Sequence, residues 1–153
     1  MRKRYIEKGS AFLEEGIEQN PNDWKLHNAL ARLWSDHHKF PDLKRALKHY
    51  EDSLACDTMP DYKRAQFKRF TFYTMVRVEG REKDAYKLGR ALFEESERNH
   101  LPNLVTCLFV LQNRLDIPES DRIPESSLFP NEQKQLYWLK NYYDHRGQDF
   151  PMN

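Results

Sequence analysis

Pro21-Asn22-Asp23-Trp24-Lys25-Leu26-His27-Asn28-Ala29-Leu30-Ala31-Arg32-Leu33-Trp34 decides the fold. Asn20 precedes a proline and is pushed out of the α region, which ends the helix before it. Asp23 is an N-cap residue for the helix after it. Leu26, Ala29, Leu30, Leu33 and Trp34 recur at helical spacing and define a packing face, while Lys25, Asn28 and Arg32 fall on the other side. Phe40-Pro41 breaks the chain and Asp42 caps a second helix with Leu43, Ala46, Leu47, Tyr50 and Leu54 on its buried face.

The pattern restarts at Pro60. A proline, an Asn or Asp, and a large apolar residue recur as Pro21-Asn22-Asp23-Trp24, Pro60-Asp61-Tyr62 and Pro102-Asn103-Leu104, in steps of 39 and 42 residues. Two helices per step at such a period mark a helical-repeat array. Helices are expected over 2–20, 23–37, 42–56, 61–79, 82–98, 102–115 and 131–145, the last as a cap over the final repeat. The doubled Ile-Pro-Glu-Ser at 117–120 and 123–126 is a loop, because its prolines forbid a continuous helix. Gly9 and Gly16 allow close approach of a neighbour to the first helix, and Gly80 is placed to end the fourth. That fourth helix carries too many apolar residues for a single stripe.

Composition agrees with an all-α chain. Apolar residues at 39% and aromatics at 13% are too many for a disordered segment, and sparse β-branched residues argue against a sheet. With 25 basic and 24 acidic residues, no global charge draws the chain to nucleic acid or an anionic membrane. Cys56 and Cys107 are read as buried free thiols. Met1-Arg2-Lys3-Arg4 is followed by no apolar signal-peptide core, and no run approaches the length of a membrane span. The expectation is a cytoplasmic protein.

Residues 24–57 resemble the tetratricopeptide repeat family, whose unit is a helix–turn–helix of about 34 residues. Leu30, Ala31 and Trp34 match its first helix; Ala46, Tyr50 and Ser53 match its second, and Pro60 closes the unit. The next unit has Gly80 at the turn and Ala85 in its second helix, but Leu88 or Gly89 stands where an aromatic is expected. Leu13, Gly16 and Pro21 match the second half of an earlier unit. The units are longer than the family's by roughly five to eight residues. The resemblance implies one domain over 1–153, a right-handed α-α superhelix of about seven antiparallel helices. Its repeat-like units fall at about 5–21 (half), 22–59, 60–98 and 102–116 (half), with a capping helix at about 131–145. It also implies a concave groove lined by first helices, here 23–37, 61–79 and 102–115, in which a peptide or partner helix lies.

Helical spacing assigns Lys25, Asn28 and Arg32 to one face of the second helix, and Lys63, Phe67, Phe70, Thr74 and Arg77 to one face of the fourth. Rings flanked by cations suit a peptide with apolar and acidic features; the competing reading places Phe67 and Phe70 in the core. The family's Lys/Asn/Arg set for gripping a terminal carboxylate does not carry over, because Asn28 and Arg32 do not fit its order. His27, His37 and His38 make no i, i+4 pair and, with His49, read as exposed histidines rather than metal ligands. No phosphate loop, nucleophile elbow or paired catalytic motif is present. The expected function is therefore a non-catalytic interaction or scaffold module with a protein or peptide partner, no cofactor and no metal. Two alternatives stand beside it. One is a structural or assembly subunit whose exposed aromatic faces form a permanent interface, with the open repeat end free to dimerise or join a further domain. The other is a single-stranded nucleic-acid binder using Lys63, Arg64, Lys68, Arg69 and Arg77 interleaved with rings.

Overall fold

The computed structural model describes residues 2–35, 41–95 and 102–124. Among them are six α-helices and no strand: α1 (Arg2–Gln19), α2 (Trp24–Ser35), α3 (Leu43–Ala55), α4 (Asp61–Val76), α5 (Glu82–Glu95) and α6 (Pro102–Arg114), followed by a short 3₁₀ turn at Glu119–Asp121. The expected capping helix at 131–145 lies outside the described residues. No helix among the described residues is long and apolar enough to cross a membrane. The chain divides into two compact units, Met1–Val78 and Glu79–Asn153, and the break falls inside the expected 60–98 repeat.

In the first unit, consecutive helices pack in order: α1 on α2, α2 on α3, α3 on α4, with α2 and α3 the most extensive pair. Ile6 of α1, Leu30 and Trp34 of α2 and Ala46 of α3 form one core cluster, edged by Leu13, Ile17 and Leu33. Trp24, Cys56, Met59 and Phe67 form a second, edged by Leu54. A Cβ added at Gly9 would lie 3.6 Å from Leu33, and one at Gly16 would lie 3.4 Å from Leu26. Both glycines thus lie under the α2 side chains, as close approach requires.

The caps follow local chemistry. Asp23 Oδ1 accepts from the Lys25 amide at 3.0 Å, and Asp42 Oδ1 accepts from the Arg45 amide at 3.1 Å. Helix α4 ends earlier than expected, at Val76, closed by Arg77 and Val78 amides donating to Thr74 and Met75 carbonyls at 3.1 Å each. Gly80 has the left-handed backbone (φ 87°) that glycine favours, but it sits beyond this 3₁₀-like closure rather than at the first position after the cap. In α4 every residue from Thr71 to Val76 is buried, which is why its sequence shows no one-sided stripe. Thr71 and Thr74 satisfy their hydroxyls by donating to the Phe67 and Phe70 carbonyls at 2.8 and 2.9 Å.

The Pro21–Trp24 turn is fastened to the end of α3. Ser53 Oγ donates to the Trp24 carbonyl at 3.0 Å in a buried setting. Asn22 Oδ1 accepts from the Asp57 amide at 3.1 Å, and the Thr58 hydroxyl donates to the Asn22 carbonyl. Arg64 of α4 closes the joint, reaching the Leu54 and Cys56 carbonyls at 2.8 and 2.9 Å. Of these groups, Arg64 satisfies free carbonyls at the end of α3, and the others fasten the turn to it.

In the second unit α5 packs on α6. Leu104, Val105, Cys107, Leu108 and Leu111 are fully or almost fully buried. The loop after α6 is strapped back by buried Gln112, whose Oε1 accepts from the Ile123 amide at 2.8 Å and from Tyr86 Oη at 3.3 Å. Arg122 Nη1 donates to Asn113 at 3.0 Å, and Arg90 Nη1 donates to the Asp121 carbonyl at 2.9 Å. Arg90 also pairs with Glu94 at 3.4 Å, which relieves one of the acidic side chains near the negative end of α5.

Replacing Ser53 by Ala removes the buried side-chain bond to the Trp24 carbonyl, which keeps its bond within α2. A loss of about 0.5–1.5 kcal/mol of unfolding free energy is expected in urea titrations, with no change in the far-ultraviolet helical signal of the folded state.

Candidate functional site

The sequence-expected groove residues separate by depth. Trp24 is the hub. Phe67 meets it edge to face at 5.3 Å between centroids, and Phe70 meets Phe67 in the same way at 5.8 Å. The burial of Phe67, 6% exposed, places it in the core beside Cys56 and Met59, so its expected position facing a ligand is corrected: it supports the surface from beneath. Phe70, 42% exposed, and Tyr62, 79% exposed, carry the aromatic character outward.

Two cations converge on this hub. The Lys25 ammonium lies 6.0 Å from the centroid of the Trp24 ring and the Lys63 ammonium 5.6 Å from it, with Lys63 also 5.9 Å from the Tyr62 ring. These distances are within reach of cation–π attraction. Lys25 is in the first turn of α2 and Lys63 in the first turn of α4, so both charges stand where two helix dipoles present their positive ends. Against Trp24 and Lys25 opens a groove of about 540 Å³, lined by Gln19 to Lys25 and Thr58.

The remaining expected residues do not join this patch. Arg32 is exposed near the other end of α2, about 12 Å along the axis from Trp24. Asn28 is half-buried, with its Oδ1 buried and without a hydrogen-bond partner. Thr74 is buried and bonded within its own helix. Arg77 caps the C-terminal end of α4, about 21 Å along the helix from Lys63. Helix α6 belongs to the second unit.

The histidine expectation needs a correction. His27 and His49 are not exposed; they are 7% and 9% exposed. His27 Nε2 donates to the Pro21 carbonyl at 2.8 Å. The Nδ1 atoms of both rings are buried with no hydrogen-bond partner. Burial holds the His49 pKa below its ordinary value, against the opposing pull of the Asp52 carboxylate. His37 and His38 lie outside the described residues. The cysteines are free and buried, as expected. Burial raises the pKa of both thiols above the usual value, with Asp52, Asp23 and Asp57 adding to the shift at Cys56. Neither is poised as a nucleophile.

One signal was available in the sequence for the pieces that it missed: His49 and Asp52 stand at i, i+3 on α3. That Trp24 would gather Lys25 and Lys63 had no local signal, since the pair comes from different helices. Searches of protein-family models, curated proteins and solved structures return no match to this chain.

Phe67→Ala is expected to cost about 3–5 kcal/mol in a denaturant titration, because it empties the Trp24–Cys56–Met59 core. Phe70→Ala, at the surface end of the same ring row, is expected to cost less than about 1 kcal/mol. Equal costs would contradict the division of the row into support and surface.

Proposed function

We propose that this chain is a non-catalytic interaction module, a tetratricopeptide-like helical repeat that binds an acidic, partly apolar peptide or partner helix over the α2–α4 end of its first unit. The observation that carries the reading is the convergence of Lys25 and Lys63 on the Trp24 ring, beside a groove of about 540 Å³. Cations held beside a ring attract a carboxylate and leave apolar surface, here Tyr62 and Phe70, for its neighbours. Lys25 and Lys63 are the primary contacts in this reading, Phe70 and Tyr62 the flanking ones. Asn28, Arg32 and Arg77 stand apart from these contacts, and buried Thr74 is not among them.

The test is a displayed random-peptide library panned against the purified chain. Enrichment of sequences pairing Asp or Glu with large apolar residues is expected. The enriched peptides should bind the Lys25→Glu/Lys63→Glu variant at least about tenfold more weakly, which is about 1.4 kcal/mol. Peptides bound equally by both proteins would overturn the site.

A second reading has its own observation. Tyr5 and Phe12 stand seven residues apart on α1 and are 69% and 75% exposed, which puts them on one outer face of the first helix. An assembly subunit would bury that face against a second copy. Light scattering then gives a dimer mass that falls to the monomer mass, 18.5 kDa, in Tyr5→Glu/Phe12→Glu; a monomer at every concentration removes this reading. The nucleic-acid reading is weaker, because Arg64, one of its five cations, is committed to the carbonyls at the end of α3.

A further inference from the structure

We infer that His27, His49 and Asp52 form a binding site for a divalent transition-metal ion of the zinc type, clamping α2 to α3 within the first unit. One ligand atom of each of the three residues lies within 4.8 Å of the other two. Tetrahedral zinc with nitrogen and oxygen donors holds its ligand atoms about 3.3 Å apart. Closing on an ion therefore shortens each separation by no more than about 1.5 Å.

The donor set fits that class of ion. Two imidazoles and one carboxylate suit zinc and its neighbours, whereas calcium and magnesium require shells of oxygen. The second shell is in place as well. His27 donates its Nε2–H to the Pro21 carbonyl, which leaves the lone pair on Nδ1. Metal-ligating histidines are oriented in this way, one ring nitrogen anchored on a carbonyl and the other turned to the ion.

A second observation points to a ligand independently of the clustering. His27 and His49 are both more than nine-tenths buried, and the Nδ1 of each is buried with no hydrogen-bond partner. Two orphaned imidazole nitrogens in one cluster are a costly arrangement for a side-chain network alone. A cation answers both lone pairs and neutralises the half-buried Asp52 carboxylate. Three protein ligands leave a fourth position for water or for a group brought by a partner. Cys56 is not placed as that fourth ligand. Its protonated thiol donates to the Asp52 carbonyl at 3.3 Å, and it stands outside the cluster of converging ligand atoms.

The experiment is calorimetric titration of the full chain with zinc chloride after chelator treatment, alongside thermal unfolding at increasing zinc. A one-to-one isotherm is expected, together with a midpoint that rises with zinc concentration by mass action and returns to its starting value with chelator. Magnesium should produce neither effect. Asp52→Asn, a half-buried and near-isosteric change, should lower zinc affinity by roughly tenfold or more, as should His49→Gln. His37→Gln/His38→Gln should leave it unchanged. Cobalt in place of zinc should give visible absorption bands of a tetrahedral nitrogen–oxygen site in the wild type and lose them in Asp52→Asn. The helical signal of Asp52→Asn shows that the variant is folded. No one-to-one binding by the wild type, or affinity kept in Asp52→Asn and lost in His37→Gln/His38→Gln, overturns the site.

Discussion

The buried bond from Ser53 Oγ to the Trp24 carbonyl is the constraint on which the first unit depends. Helix α2 begins, and helix α3 ends, at one point in space. Each end leaves backbone groups that its own helix cannot satisfy. Thr58 Oγ1 accepts from the Trp24 amide at 3.4 Å and Arg64 answers the Leu54 carbonyl, while Ser53 and Asn22 add bonds across the joint. With Trp24 held, its ring becomes the platform for Phe67 and for the two lysines. With Pro21 held, its carbonyl sets the ring of His27. The aromatic patch and the histidine cluster are two products of one junction.

Local chemistry in the sequence reached the helix boundaries well. Asp23 and Asp42 cap where their type and position require, and Asn20 before Pro21 does end α1. The failures have physical causes. Gly80 drew the end of α4 too far, because a left-handed glycine marks a turn without specifying which turn. The depth of Phe67 against Phe70 was not legible, because α4 is buried all round over its second half and its pattern points nowhere. His27 and His49 lie on separate helices. Nothing short of the α2–α3 packing brings them together.

The repeated Pro–Asn/Asp motif shows how far a period can be trusted. Its first copy makes the joint: Asn22 reaches across to Asp57. Its second copy, Pro60-Asp61-Tyr62, does something else. Asp61 pairs within its own helix with Arg64 at 3.5 Å, and Pro60 caps α4 without a side-chain bond. The motif therefore records a shared place, a proline at or shortly before a helix start, and does not by itself record a shared junction. This is why the six helices among the described residues support an all-α architecture more firmly than they support equal repeats.

The position of Pro21–Trp24 ties the surface to the interior. These four residues form part of the groove lining, and the same short segment supplies the carbonyl that orients His27 and approaches the Cys56 sulfur at 3.9 Å. The groove lining and the His27 hydrogen bond thus share one short segment, whose two ends are held by the Ser53 bond to Trp24 and by the Asn22 contact to Asp57. Surface and interior are built from the same backbone because the turn between α1 and α2 has no residues to spare: its carbonyls face inward to side chains of α2 and α3 while its outer side forms the groove wall.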